Sequence, residues 1–206
     1  MGDSAYIRLP KQKRGIEKKQ LIVDTARELY CENGYHNTPT NEIAKRANVS
    51  IGAVYSYFQD KKAILMEVAD QFNADFFAAF DFIDAQNDSE LFRHDARKWL
   101  CGMIERLIAL QESQRDIYRE IETLRYSVPD IAAELEHRDE RVRFGTLEFL
   151  RKNQGYITCA DIEATSIIIA DFTGTLVDMI VVGKSYVGRR RLIDTGVDIL
   201  YKMIGL

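Results

Sequence analysis

Three cysteines in 206 residues, Cys31, Cys101 and Cys159, are too few, too scattered and odd in number for a disulfide framework or a paired-thiolate zinc site. They fit a reducing compartment. Only three prolines interrupt the chain, so long helices are open to it. The most apolar stretch, residues 167–182, carries Asp171 and Asp178. Each would cost about 2.5 to 3.5 kcal/mol at the centre of a bilayer, which argues against a membrane span. The N-terminal segment Ile7-Arg8-Leu9-Pro10-Lys11 lacks the apolar core of an export signal. A cytoplasmic protein without a membrane partner is the expectation. There is no Ser-His-Asp order, no phosphate-cradling glycine loop and no paired-cysteine motif. Glu134 and His137 make a single Glu-x-x-His pair, where a di-iron bundle needs two, and His36 and His94 lack the same partner. Neither enzyme activity, nor a metal, nor a cofactor is expected.

What is present is charge, unevenly distributed. The net charge is −4, an odd value for a chain that binds a polyanion, but residues 1–62 carry +4 and the remainder −8. The basic end is the end suited to nucleic acid.

Within that end, residues 34–62 are the most informative stretch. Thr38 is placed to cap a helix whose first position is Pro39, where a missing N–H is harmless. Ile43, Ala44 and Ala47 recur at three- and four-residue spacing as its inner face, and Asn48 closes it. Ser50 then caps a second short helix with Val54 and Phe58 inward and Gly52, Ala53, Ser56 and Tyr57 outward. Two short helices and a tight turn make a helix-turn-helix unit, whose second helix enters a DNA groove. Its small outer surface lets backbone approach the groove, with Tyr55 and Tyr57 hydroxyls reaching for phosphates.

The periodicity elsewhere predicts an all-α chain of about nine helices. Residues 16–33 form a first helix with Ile22, Ala26, Leu29 and Tyr30 on one stripe and Gly34 as its stop. A long helix from Lys61 carries Leu65, Val68, Phe72 and Phe76 to a break at residues 86–89. Further helices cover 89–110, 116–126, 130–154, 160–182 and 189–204. The domains are then a basic arm (1–15), a DNA-binding domain (16–62) and a second domain (63–206). The arm is either a solvated tail or a segment that touches phosphates or a minor groove.

The segment 16–68 resembles the DNA-binding domain of the TetR (tetracycline-repressor-like) family of bacterial transcriptional regulators. The resemblance rests on Gly34-Tyr35, Ile43-Ala44, Val49-Ser50, Gly52, Tyr55, Tyr57-Phe58 and Lys61. Asn48 stands where the family usually has glycine and Pro39 where it usually has threonine. The resemblance implies a ligand-responsive regulator, expected to be a repressor, that binds a palindromic double-stranded DNA operator as a homodimer and leaves it when a small-molecule effector binds. It points to Thr40, Asn41, Ser50, Ile51, Gly52, Ala53, Tyr55, Tyr57 and Lys61 as DNA contacts, with Asn41 the best base reader and Lys61 on a phosphate.

In the second domain, Trp99, Met103, Tyr118, Tyr126, Phe144 and Phe172 either fill the core or line an effector cavity, with Arg125 and Asp171 as polar partners. The last two helices are too apolar to be one-faced, and Gly174 with Ser166, Thr173 and Thr175 permits close approach of a partner. Ile169, Thr173, Leu176, Ile180, Val197 and Leu200 are the expected dimer interface; the other reading is that they complete the core of one chain. The alternative in a different class is an all-α enzyme or metal-binding bundle with a helix-turn-helix-like hairpin.

Overall fold

The structure is a computed structural model that describes residues 13–85, 89–183 and 185–206. Most of the basic arm lies outside the described residues. Its last part, from Lys13, is already helical.

Ten helices, rather than nine, are present among the described residues: α1 (Lys13–Asn33), α2 (Thr40–Arg46), α3 (Ile51–Tyr57), α4 (Lys61–Ala85), α5 (Ser89–His94), α6 (Ala96–Ser113), α7 (Arg115–Leu124), α8 (Pro129–Lys152), α9 (Ile162–Val181) and α10 (Arg189–Met203). The additional one comes from a break at Asp95. Its backbone leaves helical geometry and its side chain caps α6 by accepting the Lys98 N–H at 2.9 Å. Aspartate favours that role over a helix interior because its short carboxylate competes for nearby backbone N–H groups.

Two compact units result, and the division is not the simple one expected at residue 62. The N-terminal unit takes in the chain to Ala74 and also Asp116–Ala132; the C-terminal unit comprises Asp75–Arg115 and Ala133–Leu206. In the first, α1, α2 and α3 pack on one another. The stripes expected from sequence are buried: Ile22, Ala26, Leu29 and Tyr30 on α1, Ile43 and Ala44 on α2 with Ala47 at its end, Val54 on α3, then Phe58. In the second, α6 packs against α5, α9 and α10. Its core joins Phe92, Trp99, Leu100, Ile104 and Ile108 to Leu176, Val177, Ile193, Val197 and Leu200. The α9 helix is long and apolar enough to cross a membrane by composition, but one face is spent on this core.

Thr38 does not cap α2. The N-cap is Pro39, without a side-chain bond, and the Thr38 side chain turns inward. Fully buried, its hydroxyl donates to the carbonyls of Gly34 at 2.9 Å and Leu29 at 3.3 Å, stitching the turn back onto the end of α1. The Gly34 carbonyl lies just past the end of α1, where it has no intrahelical donor, so an inward hydroxyl there satisfies it. Thr38→Val, which keeps the shape and deletes the donor, should lower unfolding free energy by about 1–2 kcal/mol in a urea titration, whereas Thr38→Ser should retain most of it.

Candidate nucleic-acid interface

Two backbone positions decide the path of the helix-turn-helix. Gly34 ends α1 at φ +81°, the left-handed geometry that only glycine adopts at no steric cost. Asn48 follows α2 at φ 53°, a left-handed turn that asparagine tolerates better than most side chains. Ser50 caps α3 as its sequence position predicts, accepting the Ala53 N–H at 3.1 Å.

Side chains outside the pair then fix it. The Arg46 guanidinium on α2 makes two hydrogen bonds to the Glu32 carboxylate on α1, at 2.9 and 3.3 Å. That bond lowers the carboxyl's pKa and raises the guanidinium's. On the α4 side, Lys19 of α1 reaches Glu67 at 2.6 Å, Gln20 pairs with Gln71, and Asp60 caps α4 through the Ala63 N–H at 2.8 Å. The Tyr30 ring lies edge-on to Tyr35, and burial pushes its phenol pKa up.

The expected DNA contacts divide by exposure. Asn41, Ser50, Ile51, Gly52 and Tyr55 are exposed; Thr40, Ala53 and Tyr57 are half-buried. Lys61 is half-buried and engaged within the chain. Its ammonium donates to the Tyr35 carbonyl at 2.9 Å and the His36 carbonyl at 3.4 Å and lies 4.3 Å from the Tyr35 ring centroid. Burial pushes its pKa down. Sequence reasoning passed over Lys45, an exposed cation in the last turn of α2 that meets no carboxylate among the described residues.

The expected effector residues are divided between the two units. Tyr118, Arg125 and Tyr126 belong to the N-terminal unit and Trp99, Met103, Phe144, Asp171 and Phe172 to the other. Tyr126 is 91% exposed and Phe144 63%, so neither lines an enclosed cavity within its unit. Asp171 pairs with Arg143 at 2.9 Å and Arg125 with Glu122 at 2.9 Å. Trp99 is core: it stacks on Phe149 at 4.7 Å and meets Phe92 edge-on. An open cleft of about 250 Å³ lies elsewhere in the C-terminal unit, lined by Phe92, Arg93, Arg97, Tyr156 and Tyr201 among others. None of the eight expected residues is in its wall. Glu134 and His137 gather no metal cluster, as no group of three or more ligating side chains occurs among the described residues.

Most of the residues expected at a dimer interface are covered by their own chain. Ile169, Thr173, Leu176, Val197 and Leu200 are buried within the single chain, and Ile180 is half-buried. Inward Leu176 lies against Gly196, where any Cβ would collide with it, so α9 and α10 already fit each other closely. The outward face of α9 carries Ile167, Ile168, Gly174, Thr175 and Met179.

Comparison with known proteins agrees with this architecture. The family signature described as bacterial regulatory proteins of the tetR family spans residues 22–68, and that of the tetracyclin repressor-like C-terminal domain spans residues 77–205. This chain belongs to the TetR family. The family consists of transcriptional regulators and not enzymes. Among its relatives, the HTH-type transcriptional regulator YuxN of Bacillus subtilis is 35% identical over 92 residues, 45% of this chain and 31% of that protein. The match thus spans about a third of that relative's length. A TetR-family regulator of Mesorhizobium loti has the same fold at a TM-score of 0.70 and 22% identity, covering 95% of this chain and all of that one. A transcriptional regulator of Saccharomonospora viridis, solved in complex with choline, has it at a TM-score of 0.67 and 21% identity, over 91% and 96% of the two chains.

Gly52 of this TetR-family chain is not explained by its own fold. A Cβ at Gly52 would meet nothing within 4 Å, and its φ is not left-handed. Glycine inside a helix costs stability relative to alanine. Gly52→Ala should therefore raise unfolding free energy by about 0.5–1 kcal/mol, read from the shift in urea midpoint.

Proposed function

We propose that the chain acts in the cytoplasm as a homodimeric repressor that holds a palindromic operator with two copies of α3 and releases it when a small molecule binds the C-terminal unit. The observation that carries the DNA half is the exposed side of α3: Ile51, Gly52 and Tyr55 face outward, with a glycine that the fold does not need. A groove approached closely by backbone needs it. Ile51 and Ala53 can touch thymine methyl groups but cannot hydrogen-bond through their side chains. Asn41, exposed in the first turn of α2, can pair with an adenine edge. The effector half rests on the C-terminal family match and on a fold neighbour that holds choline.

The dimer half rests on α9. Ala164, Ile167, Ile168, Asp171, Gly174, Thr175 and Met179 are exposed at helical spacing, and Ile168 is 54% and Ile167 48% exposed. A stripe of that kind on one chain calls for cover. Gly174, like Gly52, has open space around it and no internal reason to be glycine. Two ion pairs, Arg143–Asp171 and Arg151–Glu163, lash α8 to α9 and set the exposed Phe144 on the neighbouring helix. A second copy meeting this face buries it and supplies the two-fold symmetry that paired half-sites need. Half-sites one DNA turn apart, roughly 34 Å, then fix the spacing that an effector disturbs.

Selection of bound fragments from random DNA tests the DNA half. The expected product is a palindrome, and Asn41→Ala should lose about 1–3 kcal/mol of discrimination at one base position in each half-site. A loss equal at every position would make Asn41 a phosphate contact. Sedimentation tests the dimer half with two variants that separate the faces of these helices. Ile168→Glu should give a folded monomer that no longer binds the palindrome tightly. Leu200→Asp, at a side chain 1% exposed, should unfold the chain instead, because it leaves a charge in a dry core. A dimer that survives Ile168→Glu would move the interface off this face of α9.

A further inference from the structure

The turn between α1 and α2 is gripped by two charged groups that belong to neither helix. Glu120, in the middle of α7, accepts the Tyr35 backbone N–H at 2.5 Å. Lys61, the first residue of α4, takes the Tyr35 carbonyl at 2.9 Å and the His36 carbonyl at 3.4 Å. Both backbone polar groups of Tyr35 are thus held by side chains from outside the helix-turn-helix, one anionic and one cationic. Tyr35 is 9% exposed, and its ring is packed between Tyr30, His36 and the Lys61 ammonium. Gly34 beside it has the Glu120 carboxylate 3.6 Å from where a Cβ would sit.

Hydrogen bonds with one charged partner are shorter and stronger than neutral ones. They also act where leverage is greatest. The segment between α1 and α2 sets how α2, and α3 packed on it, are presented. The α7 helix has further ties within the same compact unit: Ile117, Ile121 and Leu124 are buried, the Tyr118 ring is 6.1 Å from Phe72, and Asp130 just beyond it pairs with Lys62 at 2.7 Å.

We infer that Lys61 and Glu120 are positioning residues for DNA reading: they clamp the Tyr35 backbone between α4 and α7 and fix the presentation of α2 and α3, and Lys61 does not spend its charge on a phosphate. This rests on the DNA-binding reading above. It adds to the DNA-binding machinery a helix that lies outside residues 22–68, the span of the family's DNA-binding signature. It also gives the effector a route. Any shift of α7 pulls on the Tyr35 N–H and so on the turn that carries the reading pair.

The test is operator affinity against salt concentration for the full-length wild type, Lys61→Ala, Glu120→Ala, Glu120→Gln and the double alanine variant, with the active fraction of each fixed by stoichiometric titration. Each alanine variant should weaken binding about tenfold, the scale of one lost hydrogen bond to a charged group, and leave the slope of log affinity against log salt unchanged. Glu120→Gln should recover most of the loss, because an amide oxygen still accepts from the Tyr35 N–H. The double variant should lose less than the product of the single losses, because either deletion frees the same turn. A slope shallower by about 0.9 in Lys61→Ala would assign Lys61 to a phosphate and overturn the inference. So would unchanged affinity in Glu120→Ala, losses that multiply, or a deficit that vanishes once the active fraction is corrected. A wild type that binds no palindrome fails the DNA-binding reading itself, before any variant is compared.

Discussion

The α2 and α3 helices are seven residues each, too short to persist in water on their own propensity. They exist because α1 offers a continuous buried stripe, Ile22, Ala26, Leu29 and Tyr30, that must be covered. Everything on the DNA-facing side inherits its position from that burial. The α1 stripe fixes where Ile43, Ala44 and Val54 go, and those fix which faces of α2 and α3 are left outside. The polar ties around them, Arg46 to Glu32, Thr38 to the end of α1, and Glu120 with Lys61 on Tyr35, refine a geometry that apolar cover has already chosen. Their contribution is precision, which a protein reading base edges at ångström tolerance needs more than raw stability.

The C-terminal unit meets a different constraint, because α9 is apolar on more than one side and a single bundle can cover only one. Ser166, Ile169, Thr173, Leu176, Val177 and Val181 go inward, onto α6 and α10. The consecutive Ile167, Ile168 and Ile169 make the division unavoidable, since successive residues are about 100° apart on a helix and cannot share a face. The α10 helix has no such surplus. Its outward residues include Arg189, Arg190, Asp194, Asp198 and Lys202, several of them paired with one another or with α6.

How much of this the sequence discloses depends on the range of the interaction. Signals that act within four residues are legible: the left-handed stops at Gly34 and Asn48, the Ser50 cap, and the buried stripes of α1 to α3. Asp95 is a signal of the same range, a carboxylate that caps α6 by accepting the N–H three residues on. Signals that depend on what arrives from far along the chain are not legible. Thr38 has the residue type of a cap but faces inward, because the end of α1 lies beside it. Lys61 has the sequence position of a phosphate ligand, and only the fold shows that carbonyls 25 and 26 residues earlier accept hydrogen bonds from its ammonium. Glu120 is 85 residues from Tyr35, and within α7 it looks like any surface glutamate. For α9 the pattern predicts two apolar faces but not which one α6 occupies, so Ile169, Thr173 and Leu176 could not be assigned from sequence to the core that covers them. Aromatic rings present the same difficulty: Trp99 and Phe144 are indistinguishable by pattern, and only packing makes one core and the other surface.

Charge ties the two units' tasks together. Residues 1–62 carry only +4, and much of that cationic charge is engaged internally: Lys19 on Glu67, Arg46 on Glu32, Lys62 on Asp130, Lys61 on backbone carbonyls. Lys18 and Lys45 are exposed and reach no carboxylate among the described residues. Electrostatic attraction to DNA scales with the cations that can displace counterions from phosphates, so one such unit is a weak polyanion binder. The second copy proposed above would change this, because binding at a first half-site makes the second event intramolecular and raises its effective concentration. The sparse base chemistry of Ile51, Gly52 and Ala53 points the same way, since it supplies few hydrogen bonds per half-site. With the dimer proposed above, tight DNA binding would depend on the outer face of α9 as much as on α3. An effector that altered the geometry between two such copies would act on the larger part of the affinity.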